Sequence, residues 1–154
     1  MTVSIRPART EDAEVIADFN ARLAADTEDL VLDRARLLAG VRAVLADPAK
    51  GFYAMAERAG ATVGQLLVTR EWSDWRNGDF WWIQSVFVVP EARGAGVFRS
   101  LYEHVDRLAR ERGDVCGLRL YVERHNERAQ RTYARLGMQR TVYDMFETDY
   151  VLRR

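Results

Sequence analysis

At 154 residues the chain fits one domain of ordinary size, able to bury roughly two-thirds of the surface its unfolded form exposes. Apolar residues make up 48% and charged residues 30%, a globular rather than disordered balance, while 23 basic side chains against 23 acidic ones argue against general binding to nucleic acid or an anionic membrane surface. The single cysteine, Cys116, cannot close an intrachain disulfide. Its neighbours Val115, Gly117 and Leu118 mark it as a small buried strand residue, which points to a reducing compartment. No run approaches the ~20 apolar residues of a spanning helix, and the opening "MTVSIRPARTEDAEV" has no apolar signal core, so the expected location is cytoplasmic.

In chain order, "VSIRPA" reads as a short strand ended by Pro7, after which Thr10 offers a hydroxyl cap to a helix with Glu11 and Asp12 in its first turn. Val15, Ile16, Phe19 and Leu23 recur at helical spacing. Asp33 opens a second helix, whose apolar positions are Leu37, Leu38, Val41, Val44 and Leu45, and Asp47-Pro48 stops it. The stretches "GFYAMAER" and "ATVGQLLVTREW" meet at Ala59-Gly60 with the spacing of a hairpin, and Asn77-Gly78 turns the chain into a further strand, "DFWWIQSVFVV". Val97, Leu101, Val105 and Leu108 form the inner stripe of a third helix running to Gly113. The strand "CGLRLYVE" follows, then a helix from Asn126 to a glycine cap at Gly137. "TVYDMFETDY" is expected to close the chain as one strand or two. With no repeat or linker, the order β-α-α-β-β-β-α-β-α-β predicts a single α+β domain over residues 1–154 with a mostly antiparallel sheet and one strand-helix-strand crossover.

Between the strand "VFVV" and the third helix lies Arg93-Gly94-Ala95-Gly96. The first amides of a helix are unpaired and sit at its positive end, so glycines there admit an anionic group, above all a pyrophosphate, close to the backbone. The same glycines also serve a tight strand-to-helix connection with no ligand. A dinucleotide fingerprint would need a third glycine where Arg99 stands, and a Walker-type loop would need Lys and Ser or Thr after the second glycine. Neither is present.

The neighbourhood of this turn resembles the GNAT superfamily of acyl-coenzyme A-dependent N-acetyltransferases. Their signature is Gln or Arg, two variable residues, Gly, one variable residue, then Gly or Ala. Arg93-Gly94-Ala95-Gly96-Val97-Phe98 is similar to it except at the end, where Phe98 replaces a small residue. "WWIQSVFVVPEARG" resembles the family's fourth strand, "NERAQRTYARLGM" its fourth helix and "SIRPARTED" its opening strand and helix.

The resemblance implies a V-shaped split between the fourth and fifth strands, opened by a bulge, into which the pantetheine arm of acetyl-CoA lies like an added strand. Carried onto this chain, the backbone of Val86, Phe87 and Val88 would bond that arm. The amides of Gly94, Ala95, Gly96, Val97, Phe98 and Arg99 would hold the pyrophosphate, with the Arg93 side chain adding charge or bracing the loop. Asn126 would cap its helix and contact the arm, or cap alone. An amine attacks the thioester directly, no enzyme nucleophile being required, and Tyr133 is the implied proton donor to the departing thiolate.

Many relatives place a glutamate base where Gln84 stands, so the base is left to Glu71, Glu123 or a water chain, Glu123 being favoured as the end of a strand beside the split. His104 and His125 read as surface or packing residues, and no metal site is expected. Trp72, Trp75, Phe80, Trp81 and Trp82 either wall an acceptor mouth or fill the sheet, and Asp74 and Asp79 either attract an ammonium or serve as turn residues. The expected acceptor is a small-molecule amine or a protein amino group. A noncatalytic acyl-CoA sensor is the alternative. Relatives often pair as homodimers, and the C-terminal strands offer edges for pairing.

Overall fold

The computed structural model describes residues 2–152. The chain divides into two compact units, Met1–Leu120 and Tyr121–Arg154. The first contains β1 (Ser4–Pro7), α1 (Ala13–Glu28), α2 (Arg34–Ala46), β2 (Phe52–Arg58), β3 (Ala61–Ser73), β4 (Gly78–Val88), α3 (Val97–Glu111) and β5 (Val115–Arg119). The second contains α4 (Glu127–Arg135). Five strands in the order β1-β2-β3-β4-β5 form one sheet, antiparallel except for the parallel β4-β5 pair that the α3 crossover produces. The α+β class and the mostly antiparallel sheet with one crossover are as expected.

Alternation along the strands divides the core between the two faces of the sheet. Tyr53 and Met55 of β2 join Ala13, Ile16 and Ala17 of α1 and Val41 of α2 in one buried cluster. The intervening face, marked by Gly64, meets α3, since a Cβ on Gly64 would lie 3.0 Å from Val97 Cγ1. From α3 the stripe Val97, Leu101, Val105 and Ala109 is buried. Leu66 and Val68 of β3 are fully buried as well.

Local chemistry sets the element ends. Asp33 caps α2 by accepting the amides of Ala35 and Arg36 at 2.9 and 3.2 Å. The first helix begins differently from expectation: Thr10 lies inside a short 3-10 turn that leads into α1, no side chain caps α1 itself, and Asp12 closes the preceding turn by accepting the Arg9 amide at 2.6 Å. Asp12 also receives Arg6 in a two-pronged ion pair at 2.8 and 2.9 Å, and Arg6 reaches Glu57 at 2.6 Å. A carboxylate that accepts three charge-assisted or amide donors holds this turn better than a hydroxyl would.

Three further expectations are corrected. The strand "CGLRLYVE" ends at Arg119, because β5 loses its partner where the ladder with β4 stops at Trp82↔Arg119. Glu123 therefore lies in a turn beyond it rather than at a strand end. The closing strand or strands across "TVYDMFETDY" are absent: there, Thr141 Oγ1 accepts the Tyr143 amide, Asp149 accepts the amides of Val151 and Leu152, and Asp144 accepts Arg124 at 3.1 Å. A strand exists only as a member of a ladder, and this segment makes none. Cys116 is half-buried rather than buried. Among the described residues no helix is long and apolar enough to cross a membrane.

The Arg6 contacts hold the Asp12 carboxyl below its ordinary range, against an opposing effect of burial. Its contribution to stability is therefore complete above the unfolded pKa, near 4, and is lost as pH falls through the lower native value. Asp12→Asn is expected to lose about 1–3 kcal/mol in urea unfolding at pH 7, a difference from wild type that shrinks towards zero when the measurement is repeated near pH 2.

Candidate functional site

The departure of β4 from β5 builds the site in the first unit. The parallel ladder runs from Asp79↔Val115 to Trp82↔Arg119 and no further, so on that side residues 83–88 of β4 have no β5 partner. On the other side the register with β3 passes from Leu67↔Gln84 to Gln65↔Phe87, leaving Leu66 opposite both Ser85 and Val86. This is a bulge, and Ser85 holds it in the left-handed region at φ 49°. The split and the bulge expected between the fourth and fifth strands are thus both present. They leave main-chain groups of β4 facing an opening instead of a neighbouring strand.

Beyond β4, Pro90–Ala92 make a short 3-10 turn, and Gly94 and Gly96 follow at φ 78° and 79°. Gly96 is the N-cap of α3 and carries no side-chain cap bond. A Cβ at either glycine would meet nothing within 4 Å, so the backbone conformation requires glycine here and the surrounding space is open. Among the described residues the amides of Gly94, Ala95, Gly96, Val97 and Arg99 donate to no other protein group. These donors, at the positive end of a fifteen-residue helix, form a ready anion site.

Two side chains shape that loop. Arg93 Nε donates to the Val88 carbonyl at 2.9 Å, and its guanidinium lies 5.6 Å from the Phe87 ring centroid, so it ties the loop back to β4. Phe98 turns its ring along the helix towards Tyr102, the centroids 6.3 Å apart, leaving the glycine turn open despite its bulk. Val97 is buried beneath the turn.

On the α1 side of β4, polar groups replace apolar packing. The Gln84 side-chain amide donates to Thr69 Oγ1, a very short contact, and cannot take up a proton as a base. Farther along, Glu71 Oε1 accepts Arg119 at 2.6 Å and the Trp82 indole at 3.3 Å, with Arg119 stacked 3.6 Å over Phe80. Glu71 pairs with Phe80, four β4 positions from Gln84, a separation of roughly 13 Å along the strand. No feature of the sequence signals that Glu71 and Arg119, 48 positions apart in the chain, meet here. Of the aromatic group, Phe80 and Trp81 are buried in the sheet, while Trp72 and Trp75 are exposed. Asp79 is a strand residue of β4, paired with Trp72 and Val115 and donating its amide to the Asp114 carbonyl at 2.8 Å, whereas Asp74 lies in the turn before β4. On α3, burial and the neighbouring Arg107 push the His104 pKa down, so its imidazole is neutral at pH 7.

In the second unit, Asn126 caps α4 by accepting the Ala129 amide at 3.1 Å. The helix ends at Gly137, φ 91°, with the Met138 amide returning to the Tyr133 carbonyl at 3.0 Å. Tyr133 lies on α4, and burial raises its phenol above the ordinary value near 10. The Glu123 carboxylate is exposed and accepts the His125 amide at 2.8 Å.

Comparison with known proteins places this geometry. The model of the acetyltransferase (GNAT) family matches residues 14–138. A solved structure described as a possible acetyltransferase from Clostridium difficile 630 superposes with a TM-score of 0.89 at 41% identity, over 99% of this chain and 100% of that one. The chain therefore belongs to the GNAT acetyltransferase family. At lower identity the same fold occurs in a predicted acetyltransferase from Clostridium acetobutylicum solved with acetyl-CoA, with a TM-score of 0.78 at 16% identity over 96% of each chain. It occurs too in AAC(6')-Iy, solved with the bisubstrate analogue CoA-S-monomethyl-acetylneamine, with a TM-score of 0.77 at 17% identity over 97% of this chain and 99% of that one. The comparison with curated proteins gives no match.

Gly96→Ala should lose about 1–2 kcal/mol of stability from the left-handed backbone alone, and Asn126→Ala about 1 kcal/mol from the lost cap, both read by urea unfolding.

Proposed function

We propose that this protein is an N-acetyltransferase that moves the acetyl group of acetyl-CoA to a primary amine, with the whole of residues 1–154 acting as one transferase domain. The observation that carries this reading is the coincidence, within one unit, of a β4 edge left without a β5 partner after Trp82 and a glycine turn of unengaged amides at the head of α3. An extended amide-bearing arm suits the first feature, and a pyrophosphate suits the second. Family membership supports the acetyl carrier.

On this reading the pantetheine arm bonds the backbone of Val86, Phe87 and Val88, with the Val88 carbonyl shared with Arg93. The diphosphate takes the amides of residues 94–99, and Asn126 adds a contact from its capping position. The amine attacks the thioester carbonyl, whose developing oxyanion is stabilised by main-chain donors of the opened strand. Collapse breaks the carbon–sulfur bond, and Tyr133 gives its proton to the thiolate. Its raised pKa suits a donor, because the phenol stays protonated throughout the neutral range.

The roughly 13 Å between Glu71 and Gln84 weighs against Glu71 as base. The amine's proton is assigned to Glu123, exposed to solvent, or to water itself. The absence of a base at Gln84 keeps a second reading in view, a noncatalytic acyl-CoA sensor. The acceptor is a small-molecule amine or a protein amino group. A homodimer and a cytoplasmic location complete the reading. The homodimer is supported by the apolar side chains exposed in the last turns of the chain, Val142 at 94% and Phe146 at 95% among them.

Acetyl-CoA at 100 times its dissociation constant should stabilise the protein by about 2.7 kcal/mol, seen as a thermal shift that ATP does not produce; no shift removes both readings. Release of free thiol across a panel of amines separates enzyme from sensor. Tyr133→Phe should bind coenzyme normally and lose turnover, whereas Glu123→Gln should lose turnover only if the carboxylate rather than water takes the proton. Light scattering at working concentration should give twice the monomer mass of 17.7 kDa.

A further inference from the structure

A buried chain of polar side chains crosses the first unit beneath the β4 bulge. Asn20 on α1 is buried. Gln65 on β3, fully buried, donates to Asn20 Oδ1 at 2.9 Å and to the Ser85 carbonyl at 3.3 Å. Both hydrogens of the Gln65 amide are thereby used, and its orientation is fixed, since a reversed amide would set an oxygen against two acceptors. Its own Oε1 has no hydrogen-bond partner. An apolar residue of the same length would avoid that orphaned acceptor, so packing alone does not account for glutamine here.

We propose that Gln65 is a positioning residue that clamps the Ser85 carbonyl, keeps Ser85 in its left-handed conformation, and so sets the direction of the β4 groups that follow at Val86 and Phe87. Four observations meet at this point. The register shift lies between Gln65 and Leu67. Ser85 holds φ 49°, a conformation that needs outside support in a residue with a Cβ. The clamp is anchored through Asn20 to a helix rather than to the sheet it acts on. Phe87, the next paired residue of β4, packs its ring 5.0 Å from Phe19 of that same helix. Without the clamp, the inexpensive alternative for Ser85 is a return to extended backbone, which would shift the following main-chain groups out of line. For its consequence, though not for its geometry, this inference rests on the coenzyme-binding reading above.

Gln65→Met keeps the size of the side chain and removes both donors. It is expected to raise the Kd and KM for acetyl-CoA about tenfold, to leave the KM of the amine acceptor unchanged, and to alter amide hydrogen exchange at Val86 and Phe87. Adding Ser85→Gly, which lets the backbone hold a positive φ without help, should recover most of the lost affinity. A purely structural role would instead lower Tm with the Kd unchanged and no recovery from the glycine. If folded Gln65→Met binds acetyl-CoA like wild type and shows the same exchange at Val86 and Phe87, the clamp is refuted. If wild type itself binds no coenzyme, the functional reading fails, and the exchange comparison still decides the clamp. Should Gln65→Met not fold, Asn20→Ser frees the other end of the same amide and is expected to change exchange at Val86 in the same direction, an unchanged value again refuting the clamp.

Discussion

The structure depends on one constraint: a strand that must be paired on one side and open on the other. β4 keeps its ladder with β3 over almost its whole length, yet parts from β5 after four pairings. Sheet geometry resists this, because strands held at regular spacing tend to stay in register, and an unpaired edge inside a sheet leaves main-chain groups without partners. The extra residue at Ser85 and Val86 is what reconciles the two demands. It bends β4 locally while Gly64 and Gln65 recover the register beyond it.

The elements around that strand are arranged to tolerate the opening. Apolar residues of α1, α2 and β2 close one face and the α3 stripe closes the other, so the core is complete without the missing β4-β5 contacts. At the far end of β4, Arg93 returns to the Val88 carbonyl and two glycines carry the chain into α3, where among the described residues the amides of Gly94, Ala95, Gly96, Val97 and Arg99 donate to no other protein group. The helix that seals the core thus also presents its positive end beside the open strand. One short connection between a strand and a helix closes the core and, on the proposed reading, meets the ligand.

Polar residues inside the fold are confined to places where backbone deviates from regular structure. Asp12 and Arg6 hold the irregular entry to α1, and Gln65 with Asn20 underlies the bulge. Among the described residues the rest of the buried set is apolar. Such groups lose hydration on burial and regain it only through well-placed partners, so they stabilise a particular geometry rather than burial in general.

Much of this was legible in the residues themselves. Hydrophobic period separated helices from strands, Asp33 and Asn126 announced their caps, Ala59-Gly60 and Asn77-Gly78 their turns, and Arg93-Gly94-Ala95-Gly96 the connection into α3, because each of these is decided within a few residues. The entry to the first helix was misread, since Thr10 and Asp12 are equally plausible locally and the decision lay with Arg6, brought in by β1. The closing strand was misread for a related reason: "TVYDMFETDY" has strand composition, but a ladder needs a partner that composition cannot supply. Likewise Glu71 and Arg119, or Gln65 and Asn20, are ordinary residues until the fold sets them side by side. By itself the sequence determined the helices, the first four strands and the glycine turn, which follow from short-range preference. Where β4 parts from β5, and which side chains meet beneath it, was decided only in the tertiary structure, where strand pairing and long-range hydrogen bonds compete for the same backbone.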